Sequence, residues 1–323
     1  MEYKNYQVYD LGDITLESNK IIEKAQLAFK TFGSLNEDKT NVIIYPTWYS
    51  GFIADNEWLI GNNKALNPEK YFIIIIALFG NGESSSPSNN KTFSNCTIYD
   101  NVMNQYRLVT ELFKIKSVEL VVGWSMGAQQ CYQWACLYPE MVKRIAPFCG
   151  ASKTSPHNWI FLESLRYVLQ MGKTQNHIKL FARIYAGWGF TQEFYKKEEW
   201  RNLGYISKED FIEAFWEEFF LRRNPDNLET LLWTWQNGNI SKNEKYRNDW
   251  VKALASIKSK SLILSPNNDL YFPKEDNIDE FKILKNCILQ IIPGIYGHFA
   301  GGGINQDDIY FIDNELKYFL NQL

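Results

Sequence analysis

Val118-Glu119-Leu120-Val121-Val122-Gly123-Trp124-Ser125-Met126-Gly127, continuing as Ala128-Gln129-Gln130-Cys131-Tyr132-Gln133-Trp134-Ala135-Cys136-Leu137, is the stretch on which the fold turns. The apolar run Val118 to Val122 reads as a strand buried on both faces. It leads directly into Gly123-Trp124-Ser125-Met126-Gly127, a G-x-S-x-G pentapeptide, and Ala128 to Leu137 reads as a helix. The pentapeptide alone is common by chance. Between a strand and a helix it is a nucleophile elbow, in which a serine sits on a strained turn and flanking glycines let backbone and helix approach. The helix N-terminus then supplies free N–H groups and the positive end of a dipole beside the serine.

Outward from the elbow the same alternation repeats. Strand signals fall at Ala25 to Phe32, Val42 to Tyr45, Tyr71 to Leu78, Ser261 to Leu264 and Ile288 to Ile292, each closed by Gly or Pro turn chemistry. Helical periods fall between them, as in Tyr99 to Phe113. Continuous apolar strands alternating with helices predict an α/β architecture, with a mostly parallel central sheet flanked by helices. One segment breaks the rhythm. Residues 154–251 show no strand signal, only helical periods rich in aromatic residues such as Phe211, Phe215, Trp216, Phe219, Phe220, Trp233 and Trp235. The expected organisation is a core of residues 1–153 and 252–323 with a helical lid, 154–251, inserted into it.

A serine hydroxyl needs a base, and the chain has only three histidines. His157 and His177 fall in the insertion. His298 lies on a glycine-flanked loop after the last strand signal, where the base belongs in the order serine, acid, histidine. The acid is expected after the strand Ser261 to Leu264, and Asp269 is there; Asp276 and Asp279 read as the solvated face of the next helix. Asp269 would hold the histidine tautomer and stabilise its charged form. One oxyanion donor is fixed by the elbow as the N–H of Met126. The second should come from Pro46-Thr47-Trp48-Tyr49-Ser50-Gly51, where the residues alone leave Trp48 and Tyr49 both open.

Composition narrows the function classes. Net charge is −3, with 34 basic and 37 acidic residues, and no basic face is visible, so a nucleic-acid partner is not expected. The longest apolar run, Tyr71 to Phe79, falls far short of a membrane span. The start, Met-Glu-Tyr-Lys-Asn-Tyr, carries no apolar signal core, and the five cysteines show neither pairing nor metal spacing, so a cytoplasmic protein without metal or cofactor is expected. Aromatic residues make up 16% of the chain; a packed core accounts for most of them, and those near the triad, with Trp124 beside the nucleophile and Phe299 beside the base, suggest an apolar pocket.

Further motifs extend the pattern. They are Gln26 to Asn36 (QLAFKTFGSLN), Gly80 to Ser88 (GNGESSSPS), Thr97 to Val102 with Gln105, Gln133-Trp134-Ala135 with Tyr138-Pro139, and Asp269-Leu270-Tyr271-Phe272-Pro273. In this order, and with the elbow, they resemble the homoserine O-acetyltransferase-like branch of the α/β-hydrolase superfamily across nearly the whole chain outside the insertion. The resemblance implies an α/β-hydrolase fold with an inserted helical lid and puts Ser125, Asp269 and His298 in the nucleophile, acid and base roles. It sets the second oxyanion donor at Tyr49, with Trp48 as the fallback. It also implies a homodimer formed through the lids and a substrate-facing arginine at Arg166. Two departures bear on substrate. The position after the base is Phe299, where homoserine acetyltransferases carry an aspartate thought to hold the substrate amine, and an apolar ring cannot pair with an ammonium. Thr47-Trp48-Tyr49-Ser50-Gly51 replaces the family's histidine-alanine-leucine-threonine-glycine. The expected function is therefore hydrolysis of a small, largely apolar ester through an acyl-enzyme. The alternative is O-acyl transfer from an acyl-CoA co-substrate to a hydroxyl acceptor, and the reading ranked below both is a non-catalytic ligand-binding protein on the same fold.

Overall fold

The structure is a computed structural model that describes residues 5–322. Its strands are β1 (Gln7–Thr15), β2 (Ile21–Phe32), β3 (Val42–Pro46), β4 (Phe72–Ile76), β5 (Leu120–Trp124), β6 (Arg144–Phe148), β7 (Lys260–Pro266) and β8 (Cys287–Ile292). They form one sheet in the order β1-β2-β4-β3-β5-β6-β7-β8. The β1–β2 and β2–β4 pairs are antiparallel and every later pair is parallel. The central strands are apolar because both faces are covered: Ile73, Ile74, Ile75 and Ile76 of β4 have no exposed surface. Each such side chain contributes about 1.5–3 kcal/mol by leaving water.

Two of these strands are absent from the sequence expectation. β1 is a mostly exposed edge strand with few apolar residues and register breaks around Gly12, so it lacks an alternating signal. β6 carries Pro147 in mid-strand, a residue that argues against a central strand when read alone. Its ladder to β7 skips Ala146 and Pro147, so the missing N–H costs no bond there. The elbow strand is shorter than read, beginning at Leu120, while Val118 forms only an isolated bridge to Val142.

Helices α1 (Ile98–Arg107) and α2 (Met126–Leu137) follow β4 and β5. α1 opens on a capping box, in which the Asp100 N–H donates to Thr97 Oγ1 at 3.1 Å and the Thr97 N–H to Asp100 Oδ2 at 2.9 Å. α2 packs on β5 and β6. Between β6 and β7 come α3 (Pro156–Met171), α4 (Gln175–Gly189), α5 (Gln192–Lys196), α6 (Lys208–Asp210), α7 (Glu218–Leu221) and α8 (Pro225–Gln236), with the π-helical stretch Phe211–Glu217 joining α6 to α7. No strand occurs among residues 154–251, only the bridge of Asn239 to Lys153. α9 (Trp250–Ala255) leads back into β7, α10 (Lys274–Ile283) lies between β7 and β8, and α11 (Gln306–Asn321) follows β8. The loops that leave the carboxyl ends of β3, β5, β7 and β8 hold all the predicted reactive residues, the position at which open α/β sheets bind ligands. The five cysteines are all free. Among the described residues no helix is long and apolar enough to cross a membrane.

Candidate active site

β5 ends at Trp124 and α2 begins at Met126, which leaves Ser125 alone in the turn, with φ +58° and ψ −121°. That left-handed backbone is strained for a residue with a side chain. The glycines explain why the turn can close. A Cβ on Gly123 would lie 2.5 Å from the Gly127 carbonyl, and one on Gly127 would lie 2.9 Å from the Pro46 oxygen. The serine N–H donates to the Phe148 carbonyl at 3.1 Å, fastening the elbow to β6.

The structure brings Ser125, His298 and Asp269 into one buried chain. His298 Nδ1 lies 2.8 Å from Asp269 Oδ2, and His298 Nε2 lies 3.0 Å from Ser125 Oγ. A carboxylate only accepts, so Nδ1 carries the proton and Nε2 is left to accept from the serine hydroxyl. The other Asp269 oxygen accepts from the N–H groups of Tyr271 (2.8 Å) and Phe272 (3.1 Å), which fixes the carboxylate without a second charge. Trp124 Nε1 donates to the His298 carbonyl at 3.1 Å, and its ring stacks on the imidazole with centroids 5.2 Å apart. Serine, aspartate and histidine are each no more than 3% exposed.

The loop after β3 is held from beneath. Gln130 of α2 donates to the Thr47 carbonyl at 2.9 Å, and the Gly51 N–H closes a turn onto the Trp48 carbonyl at 3.0 Å. Asn81 donates to the Gly51 carbonyl at 3.1 Å and to Glu83 Oε2 at 3.2 Å, and Glu83 also accepts from the Ile53 N–H at 2.8 Å. Burial pushes the Glu83 carboxyl up to about 7. Among the described residues the N–H groups of Trp48 and Tyr49 have no protein acceptor, so both candidate oxyanion donors stand free. Met126 is the first residue of α2, where a backbone N–H has no intrahelical partner.

Around Ser125 and His298 lies a cavity of about 240 Å³. Its core side is Trp48, Tyr49, Ser50, Asp55 and Trp124; its insertion side is Tyr185, Phe215, Trp216, Phe219 and Phe220; Phe299, Gly302 and Ile304 complete it. Burial pushes the phenols of Tyr49, Tyr185 and Tyr271 upward, so these rings are neutral at any ordinary pH. Two expected pocket residues, Trp124 and Phe299, line the cavity, and Phe299 stacks on Phe190 at 4.7 Å. Arg166 does not. Its guanidinium bonds Gln236 at 2.5 Å and Glu163 at 3.4 Å, inside the insertion, which corrects the expectation of a substrate-facing arginine. Sequence does not assign the five insertion-side aromatics to the pocket. Their 215/219 and 216/220 spacing marks a helix face, but not what that face meets. Asp276 is half-buried, its Oδ2 without a partner, whereas Asp279 is exposed as expected and pairs with Lys282. Among the described residues no cluster of three or more His, Cys, Asp or Glu could hold a metal ion.

A mostly parallel sheet with a serine elbow after β5, a carboxylate after β7 and a histidine after β8 is the α/β-hydrolase class of architecture. The chain belongs to the α/β hydrolase fold family, whose model matches residues 41–301. It is 34% identical to an ethyl acetate hydrolase of Pseudomonas veronii over 98% of this chain and 95% of that one. A crystal structure of an acetylester hydrolase from Corynebacterium glutamicum superposes with a TM-score of 0.94 at 35% identity, covering 98% of this chain and 96% of that one. The motif resemblance also holds: a homoserine O-acetyltransferase of Trichormus variabilis is 26% identical over 88% of this chain and 86% of that one.

Proposed function

We propose that the protein is an enzyme that hydrolyses small, largely apolar carboxylic esters, acetyl esters first among them, through an acyl-Ser125 intermediate. One observation carries the reading: the Asp269–His298–Ser125 chain opens into a cavity of about 240 Å³ walled mainly by aromatic rings. Ser125 Oγ attacks the ester carbonyl as His298 Nε2 takes its proton, and Asp269 stabilises the imidazolium. The N–H groups of Met126 and Tyr49, or Trp48 in its place, receive the oxyanion. Collapse expels the alcohol, which leaves with the proton from His298. Water then repeats the sequence on the acyl-enzyme and frees the acid.

The relatives that hydrolyse ethyl acetate and acetyl esters support a short acyl group and a small alcohol. Transfer from acyl-CoA to an amino-acid acceptor has less support, because Phe299 presents a ring where an ammonium would need a carboxylate. The 154–251 insertion acts as the lid of the cavity. Its outer face exposes Trp159, Ile160, Tyr167, Met171 and Leu180, which supports a homodimer through the lids; sedimentation at the mass of a single chain would remove that assignment. The test of the activity is turnover of ethyl acetate in water without added alcohol. Wild type should turn over and Ser125→Ala should not, while turnover that waits for an alcohol acceptor would mark a transferase.

A further inference from the structure

The insertion is tied to three of the four loops of the site. Asn158 of α3 donates to the Tyr271 carbonyl in the acid loop, Thr191 donates to the Ile295 carbonyl in the base loop at 2.6 Å, and Arg223 reaches the loop after β3. The Arg223 tie is the charged one. Its Nε donates to the Ser50 carbonyl at 2.9 Å, and its Nη2 lies 3.3 Å from Asp55 Oδ2. The guanidinium is centred 4.0 Å from the Phe52 ring and 4.4 Å from Phe219. Asp55 Oδ2 also accepts from the Phe52 N–H at 2.8 Å, so one carboxylate joins the arginine to the start of the next turn.

The place it holds needs holding. Ser50 has φ +58°, a left-handed backbone that persists for a non-glycine residue only when its surroundings fix it. The same residue lies in the turn that carries the free N–H groups of Trp48 and Tyr49. Arg223 does not itself line the cavity, whereas its neighbours Ser50, Asp55 and Phe219 do. A largely buried guanidinium is retained at a desolvation cost that only good geometry offsets.

We propose that Arg223 is a positioning residue for the oxyanion loop: from the lid side it locks the Ser50 carbonyl and the Asp55 carboxylate, so that the site for the oxyanion is complete only while the insertion is docked. This rests on the ester-hydrolase reading. A fixed donor that serves developing charge affects the transition state more than substrate binding, and loss of one such donor costs about 100- to 1000-fold in kcat. Loss of its support should therefore lower kcat by about 10- to 100-fold with KM within about threefold.

The experiment compares full-length wild type, Arg223→Met and Arg223→Lys on an aryl acetate, and on an alkyl trifluoromethyl ketone, which binds as a tetrahedral adduct. The expected result for Arg223→Met is a fall in kcat and a matching loss of ketone affinity, with Arg223→Lys between it and wild type. A KM that rises at constant kcat, or kcat and ketone affinity both within about twofold of wild type, would overturn the assignment. If Arg223→Met does not fold, Arg223→Lys carries the test on the same criteria. Wild type without ester turnover would break the ester-hydrolase reading instead, whereas active wild type with unaffected variants breaks only the role of Arg223.

Discussion

The loops at the strand ends and the helical insertion enclose the same cavity with opposite chemistries. On the core side the three reacting residues are held by directional bonds. Ser125 is fixed by φ +58° and a bond to Phe148, Asp269 by two N–H donors, and His298 by Asp269 and Ser125. On the insertion side the wall is rings packed on rings: Trp216 lies 5.1 Å from Phe299, Tyr185 lies 4.9 Å from Phe220, and Phe215 lies 5.7 Å from Phe299. Directional bonds fix where charge moves. Ring packing fixes only volume and shape. On the ester-hydrolase proposal, the core loops should set the reaction and the insertion the choice of ester.

That division can be broken by substitution on each side. Asp269→Asn leaves the loop packing intact but no longer enforces the required histidine tautomer, and kcat should fall by roughly 10⁴-fold with little change in which esters are preferred. A lost preference with rate retained would contradict the division. Trp216→Ala, at a residue 1% exposed, should destabilise the fold by about 3–5 kcal/mol and enlarge the cavity. It should also raise kcat/KM for butyrate or hexanoate relative to acetate by about 10-fold. An unchanged chain-length profile would show that this wall does not set the acyl limit.

The smallest effect sharpens the junction between the two sides. Glu83 lies behind the β3 loop; burial raises its carboxyl from 4.5 to about 7, against the bonds from Ile53 and Asn81, with Asp55 adding to the rise and Arg223 opposing it. A folded pKa above the unfolded value means that the fold favours the protonated acid. That contribution is complete below about pH 4.5 and is lost as pH rises through about 7. Glu83→Gln should therefore melt with wild type near pH 4 and above it near pH 9, by at most roughly 3 kcal/mol of stability. Equal melting at both pH values would mean that the buried carboxyl is not held in its acid form.

The contrast also explains what sequence could and could not disclose. Ser125, His298 and Asp269 are legible because elbow, strand ends and chain order confine them, and because histidine is so scarce here. β6 is hidden by Pro147, whose missing N–H matters only to a ladder that sequence does not display. β1 is hidden by its exposure at the sheet edge. The partner of Arg166 is not legible in sequence, because a long cation on a helix of the insertion goes where packing sends it, in this case to Gln236, distant in sequence. Phe215, Trp216, Phe219 and Phe220 declare a helix face, but the cavity they close with Phe299 exists only after the insertion has folded back onto the core.

The most direct test is rapid-quench mass spectrometry of the peptide that carries Ser125, after mixing the protein with an aryl acetate in water. The account predicts one acetyl group on Ser125 that forms in the burst of product release and decays at the rate of turnover, with none on Ser125→Ala. An acetyl group on any other residue, turnover with Ser125 never acylated, or an acyl-Ser125 that persists until an alcohol is supplied would contradict it.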